Sequence, residues 1–170
     1  MSRAFVKEND EESAAAELPE RPLADYPNYV TLRGLVQLRE RLAALHAERD
    51  RLVAADDPQW RQRLLEVKRD IRYFSAQIDR AVAVDPVAQP HDEVRFGALV
   101  TLVDDEGRQR RFEIVGDDEA EPAQSRISWA TPLARALIGA RLGERVKWPR
   151  PGEHAELEVA AIDCAAAGAP

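Results

Sequence analysis

The chain has 170 residues and a formal net charge of -7, a balance that excludes general nucleic-acid binding through a basic surface and allows one or two domains. Its one cysteine, Cys164, excludes an intrachain disulfide, and His46, His91 and His154 lack the mutual spacing of a structural zinc site. No apolar run approaches the ~20 residues of a membrane-spanning helix and no signal-peptide core is present, so a soluble, cytoplasmic protein that needs no intrinsic metal or cofactor is expected.

Residues 1–28 combine Glu8-Asn9-Asp10-Glu11-Glu12, an alanine run at 14–16, and Pro19, Pro22 and Pro27. That composition predicts a disordered acidic arm, either a solubilising extension or a tail that meets a basic surface. Residues 29–83 are expected to form an antiparallel coiled-coil finger. Thr31 is placed to cap the first arm, with Gly34 an early weak point that packing must offset. Leu35, Leu38, Leu42 and Leu45 recur at alternating spacings of three and four, Arg49 interrupts the stripe, and Leu52 resumes it. Trp60, Leu64, Val67, Ile71, Phe74, Ile78 and Ala81 continue the rhythm in the second arm, a coiled-coil period. The short break Ala55-Asp56-Asp57-Pro58-Gln59 makes the arms antiparallel, with Asp57 capping and Pro58 opening the second helix. Folding about Asp57 pairs Leu52 with Trp60, Leu45 with Val67, and Leu38 with Phe74. Each arm is then roughly 35–40 Å long.

The outer face of the second arm carries Arg61, Arg63, Lys68, Arg69 and Arg72 interspersed with Glu66 and Asp70, either a solvated face or a strip that touches RNA phosphates. Pro86 and Pro90 end helix formation, so residues 84–92 read as a linker. From Val94 the period changes to two. Residues 94–102 and 111–115, joined through Asp104-Asp105-Glu106-Gly107, read as a β-hairpin, Ile127-Ser128 as a short strand, and Thr131-Pro132 as the start of a helix ending near Gly139. Strands at 146–148 and 156–162, with a turn at Pro151-Gly152 between them, complete a mostly antiparallel α+β domain spanning 93–164, followed by a frayed tail at 165–170.

The run Val94-Arg95-Phe96-Gly97-Ala98, then residues 112–120, then Ile127-Ser128 with residues 131–139, resembles the C-terminal domain of the GreA/GreB transcript cleavage factors in order and spacing. The likeness continues upstream through Arg72-Tyr73, is slightly nearer to GreB, and covers about four-fifths of the chain. It implies a coiled-coil hairpin followed by an FKBP-like antiparallel sheet with one helix. It also implies an accessory factor, not an enzyme, that binds bacterial RNA polymerase at the secondary channel. The polymerase-binding surface is expected at Ser128, Thr131, Pro132, Ala134 and Arg135, with nascent RNA a possible second contact and a monomeric state. In that family the finger delivers tip carboxylates that help the polymerase hold a second magnesium ion, and the polymerase hydrolyses its own backtracked transcript.

The tip departs from the pattern. The family's Gly-Asp-x-x-Glu-Asn-Ala type sequence is absent and the arms are shorter by about seven residues each, roughly 10 Å of reach. Asp56 and Asp57 are the acidic residues left at the tip, readable either as carboxylates that share the polymerase's magnesium or as an ordinary capped turn. A factor that modulates elongation or rescues backtracked complexes is therefore set beside a non-cleaving channel regulator of the Rnk type. Prolyl isomerisation suggested by the FKBP-like domain, and a generic coiled-coil interaction module, are the remaining alternatives.

Overall fold

The computed structural model describes residues 18–149 and 154–164. The acidic run at 8–12, the Pro151-Gly152 turn and the tail from Ala165 lie outside them. The finger begins where Thr31, in extended conformation, accepts a hydrogen bond on its hydroxyl from the Gly34 amide at 2.9 Å, the expected N-cap. Helix α1 (Leu32–Ala55) ends at Asp56, whose left-handed backbone (φ 43°) lets its amide reach the Val53 carbonyl. Pro58 does not open the second helix directly. It opens a single 3-10 turn, Pro58–Trp60, and helix α2 (Arg61–Asp79) follows. At 24 and 19 residues the arms are about 36 and 28 Å long, so the second is shorter than its sequence period suggests.

Leu38, Leu45 and Val67 form the buried centre of the seam, while Leu35, Leu42, Leu64, Ile71 and Phe74 are half-buried. Two helices shield only the line where they touch, so the flanking rungs keep one side in water. Trp60 leaves the expected rung with Leu52. It lies in the 3-10 turn and is 44% exposed. An ion pair of Glu48 with Arg63 at 2.7 Å crosses the hairpin close to the register expected from the sequence.

Two short strands, β1 (Asn28–Thr31) and β2 (Ala81–Val84), pair in parallel at the base of the finger, with Asn28 beside Ala81 and Thr31 beside Val84. Ala81 therefore belongs to a strand and not to the helical stripe. Four residues are too few to display a period, which is why periodicity does not reveal this pair. Residues 20–26, part of the stretch expected from composition to be a disordered arm, lie against α2 and the C-terminal domain through contacts described below.

The C-terminal domain contains β3 (Ala98–Asp104), β4 (Gln109–Val115), β5 (Arg126–Ser128), helix α3 (Pro132–Leu137), β6 (Arg145–Pro149) and β7 (His154–Cys164). The sheet order is β5-β4-β3-β7-β6, antiparallel except for the parallel β4–β5 pair. Leu133, Ala134 and Leu137 of α3 enter a core with Val94, Val100, Leu102, Ile114, Leu157 and Val159, and Phe112, Trp129 and Trp148 pack at its edge. This is the α+β architecture expected, a helical hairpin joined to an FKBP-like sheet with one helix. The alternation starting at Val94 is only partly strand, because Gly97 (φ 83°) turns the chain and β3 begins at Ala98. Val94 is nonetheless buried, exchanging backbone hydrogen bonds of 2.8 Å with Ala140 and Gly139.

Candidate functional site

At the tip, Asp57 caps the 3-10 turn with both carboxylate oxygens engaged. Oδ1 accepts from the Gln59 amide at 2.9 Å and Oδ2 from Gln59 Nε2 at 2.6 Å. Asp56 is held by backbone geometry as the C-cap of α1. The pair is thus built as a capped turn, Asp56 through its backbone and Asp57 through its side chain, and each Asp57 oxygen, accepting one hydrogen bond, keeps a lone pair. Among the described residues no group of three or more His, Cys, Asp or Glu is placed to hold a metal. The tip does not fit as a preformed metal site. Val53, 55% exposed, and Trp60, 44% exposed, are the large apolar side chains open to solvent near the tip, among exposed Arg51, Gln59, Arg61 and Gln62.

The basic strip is narrower than its sequence suggests. Arg61, Lys68 and Arg72 are exposed and, being seven and four residues apart, share one helix face. Arg72 is paired with Glu20 at 2.5 Å. Arg63 is turned into the hairpin, pairing with Glu48 at 2.7 Å and Glu66 at 3.2 Å, and Arg69 pairs with Asp70 at 3.2 Å. The Arg63 hydrogen bond pulls the Glu48 carboxyl below the ordinary glutamate range, and the same bond raises the Arg63 guanidinium.

The expected binding surface at the start of α3 is partly internal. Pro132 and Arg135 are exposed, and Ser128 and Thr131 are half-buried. Ala134 is fully buried in the core, because the small side chain lets α3 sit close to the sheet; it supports the surface and cannot be part of it. Thr131 caps α3, donating its hydroxyl to the Ser128 carbonyl at 2.7 Å and accepting from the Ala134 amide at 3.4 Å. The Ser128 hydroxyl donates to Asp117 and accepts from the Ala130 amide at 3.0 Å, which ties this loop to a turn that faces the finger.

That turn, Asp117–Glu119, is the joint between the two parts of the molecule, and each of its acids takes a different partner. Asp117 accepts from the Tyr26 hydroxyl at 2.7 Å. Asp118 accepts from Tyr73 at 3.1 Å and Gln77 Nε2 at 2.7 Å, both on α2. Glu119, 4% exposed, accepts from the Thr31 amide at 2.9 Å and the Thr31 hydroxyl at 2.5 Å. Arg33 of α1 adds a 2.6 Å ion pair with Glu113 on β4. Tyr26 titrates high, first because of its hydrogen bond to Asp117. Tyr73 does so chiefly through burial, with the Asp118 charge adding to it. Sequence reading placed none of these acids at a joint, since an acidic run reads as a solvated turn. The available signal was Gly116, closing a strand directly before them.

Among the described residues no helix is long and apolar enough to cross a membrane. Residues 89–163 match the family model for the C-terminal domain of the transcription elongation factors GreA/GreB. The chain is 36% identical over 152 residues to the transcription elongation factor GreB of Neisseria meningitidis serogroup B, covering 80% of this chain and 93% of that protein. It is 31% identical over 130 residues to GreA of Zymomonas mobilis, covering 68% and 82%. Among solved structures it aligns with a GreA/GreB factor from Nitrosomonas europaea at 18% identity and TM-score 0.41, covering 82% of this chain and 99% of that one. Matching relatives along both the finger and the sheet, the chain belongs to the GreA/GreB family of bacterial transcription elongation factors.

Proposed function

We propose that this protein binds bacterial RNA polymerase through its C-terminal domain, places its finger in the secondary channel, and modulates elongation with weak or absent stimulation of transcript cleavage. The observation that carries the reading is the likeness to elongation factors of both the finger and the sheet, over 80% of the chain. The exposed Pro132 and Arg135 are the proposed contacts on the polymerase, with Ser128 and Thr131 shaping the loop beside them. Arg61 and Lys68, which form no ion pair among the described residues, are the proposed contacts to RNA phosphates, and Arg72 joins them if Glu20 releases it.

The non-cleaving reading is favoured by the tip. Both Asp57 oxygens already accept from Gln59, bonds with which a metal would have to share the carboxylate, and the finger ends roughly 10 Å short of the family's usual reach. The protein is an accessory factor in this reading, with no metal of its own, and a magnesium of the polymerase is the one ion its tip carboxylates could approach. The alternative, full cleavage stimulation, requires Asp56 or Asp57 to act as the donated carboxylate.

Two experiments separate these outcomes. A pull-down with purified polymerase should lose binding when Arg135→Glu is combined with Pro132→Ala, and retained binding would move the interface elsewhere. A backtracked elongation complex incubated with the wild-type chain should show little cleavage above the polymerase alone. Strong cleavage that Asp56→Ala plus Asp57→Ala eliminates would make these two residues the active tip.

A further inference from the structure

We infer that residues 20–26 are a brace that fixes the direction of the finger relative to the C-terminal domain. The segment is attached to both bodies. On the finger side, the Arg21 guanidinium lies 3.7 Å from the centroid of the Tyr73 ring and pairs with Asp70 at 3.6 Å, and Glu20 pairs with Arg72 at 2.5 Å. Arg80, which closes α2, donates to the Ala24 carbonyl at 2.6 Å and to the Tyr26 carbonyl, two backbone oxygens of a segment outside the strands. On the domain side, Tyr26 donates to Asp117 at 2.7 Å and meets the Trp129 ring edge-on at 5.3 Å.

Tyr73 joins the two attachments. Its ring carries Arg21 of the brace while its hydroxyl reaches Asp118 of the domain. The exposed Glu20–Arg72 pair contributes little alone. The effect comes from geometry: one short segment spans a joint whose lever arm is long. With α1 about 36 Å long, a swing of roughly 10° at the base moves the tip by about 6 Å. The direct contacts of Asp118 and Glu119 hold the bodies together, and the brace opposes rotation about them.

The test uses the full chain with Cys164→Ser and spin labels at Ala47→Cys on the finger and Gln124→Cys on the domain, both exposed sites. Pulsed dipolar spectroscopy should give one narrow distance population. Combining Arg21→Ala with Arg80→Gln should shift its mean and replace it with a broad distribution, while circular dichroism of the sheet is retained. If that variant fails to fold, Glu20→Ala with Arg21→Ala leaves Arg80 in place and should broaden the distribution in the same sense. An unchanged distance in the folded variants, with or without a lower melting temperature, reduces the contacts to local packing and overturns the brace. No polymerase enters this measurement, so its outcome is independent of the proposed function.

Discussion

Gly34 shows how one residue can invert a local rule. In a helix, alanine is favoured over glycine by about 1 kcal/mol. A Cβ on Gly34, however, would stand 1.9 Å from the Glu119 carboxyl carbon, which is itself pinned by Thr31 and Gly116. Overpacking of this kind costs about 1–3 kcal/mol, so Gly34→Ala should lower the melting temperature despite its better propensity. A raised melting temperature would mean that the carboxylate swings aside. Glu119→Ala should also destabilise, by about 1–3 kcal/mol, because it leaves the buried Thr31 amide without its acceptor. In the double variant the two losses should not add, since the clash disappears with the carboxylate.

At the scale of the finger, the depth of each rung decides its worth. Leu45→Ala, at a site 2% exposed, should cost about 2–4 kcal/mol in denaturant unfolding, whereas the half-buried Leu42→Ala should cost less. Among the described residues Arg49 pairs only with its neighbour Asp50, in a solvent-open pair that contributes little. Arg49→Leu should therefore raise the melting temperature of the finger by continuing the stripe between Leu45 and Leu52. The Glu48–Arg63 bridge gives the finger an acid dependence. Because the folded Glu48 carboxyl titrates below its unfolded value, the bridge's stabilisation is present above the ordinary glutamate range and fades as pH falls through the lower folded value. Glu48→Gln should flatten the acid limb of the thermal stability profile. The effect should be small, since the Arg63 side chain is 42% exposed.

For the whole molecule, the joint should respond to alkali before the sheet does. Tyr26 titrates above the usual tyrosine range first through its hydrogen bond to Asp117, and Tyr73 does so chiefly through burial, with the charge of Asp118 adding to it. Stabilisation from such groups is complete below the unfolded tyrosine value, about pH 10, and is lost as pH rises through the higher folded values. Ultraviolet titration should show two late phenols, of which Tyr26→Phe removes one. A titration in which every tyrosine ionises together near the ordinary value, with the fold intact, would place no phenol against an acid.

The sequence by itself determined the features that depend on near neighbours along the chain. The seam through Leu38, Leu45 and Val67, the Thr31 and Thr131 caps, and the Asp56-Asp57 turn follow from spacing within a few residues. The same holds for the alternation from Ala98 to Leu102, and residues 94–139 were enough to suggest the family. Only the tertiary structure decided where the acids at 117–119 go. It also decided that Ala134 is internal, that Trp60 is uncovered, that β1 and β2 pair, and that residues 20–26 run along the joint. Each of these rests on partners distant in sequence, as in the hydrogen bonds of Thr31 with Glu119 and of Tyr26 with Asp117. A charge pattern fixes which groups want a partner, and packing of the two bodies selects which one they meet.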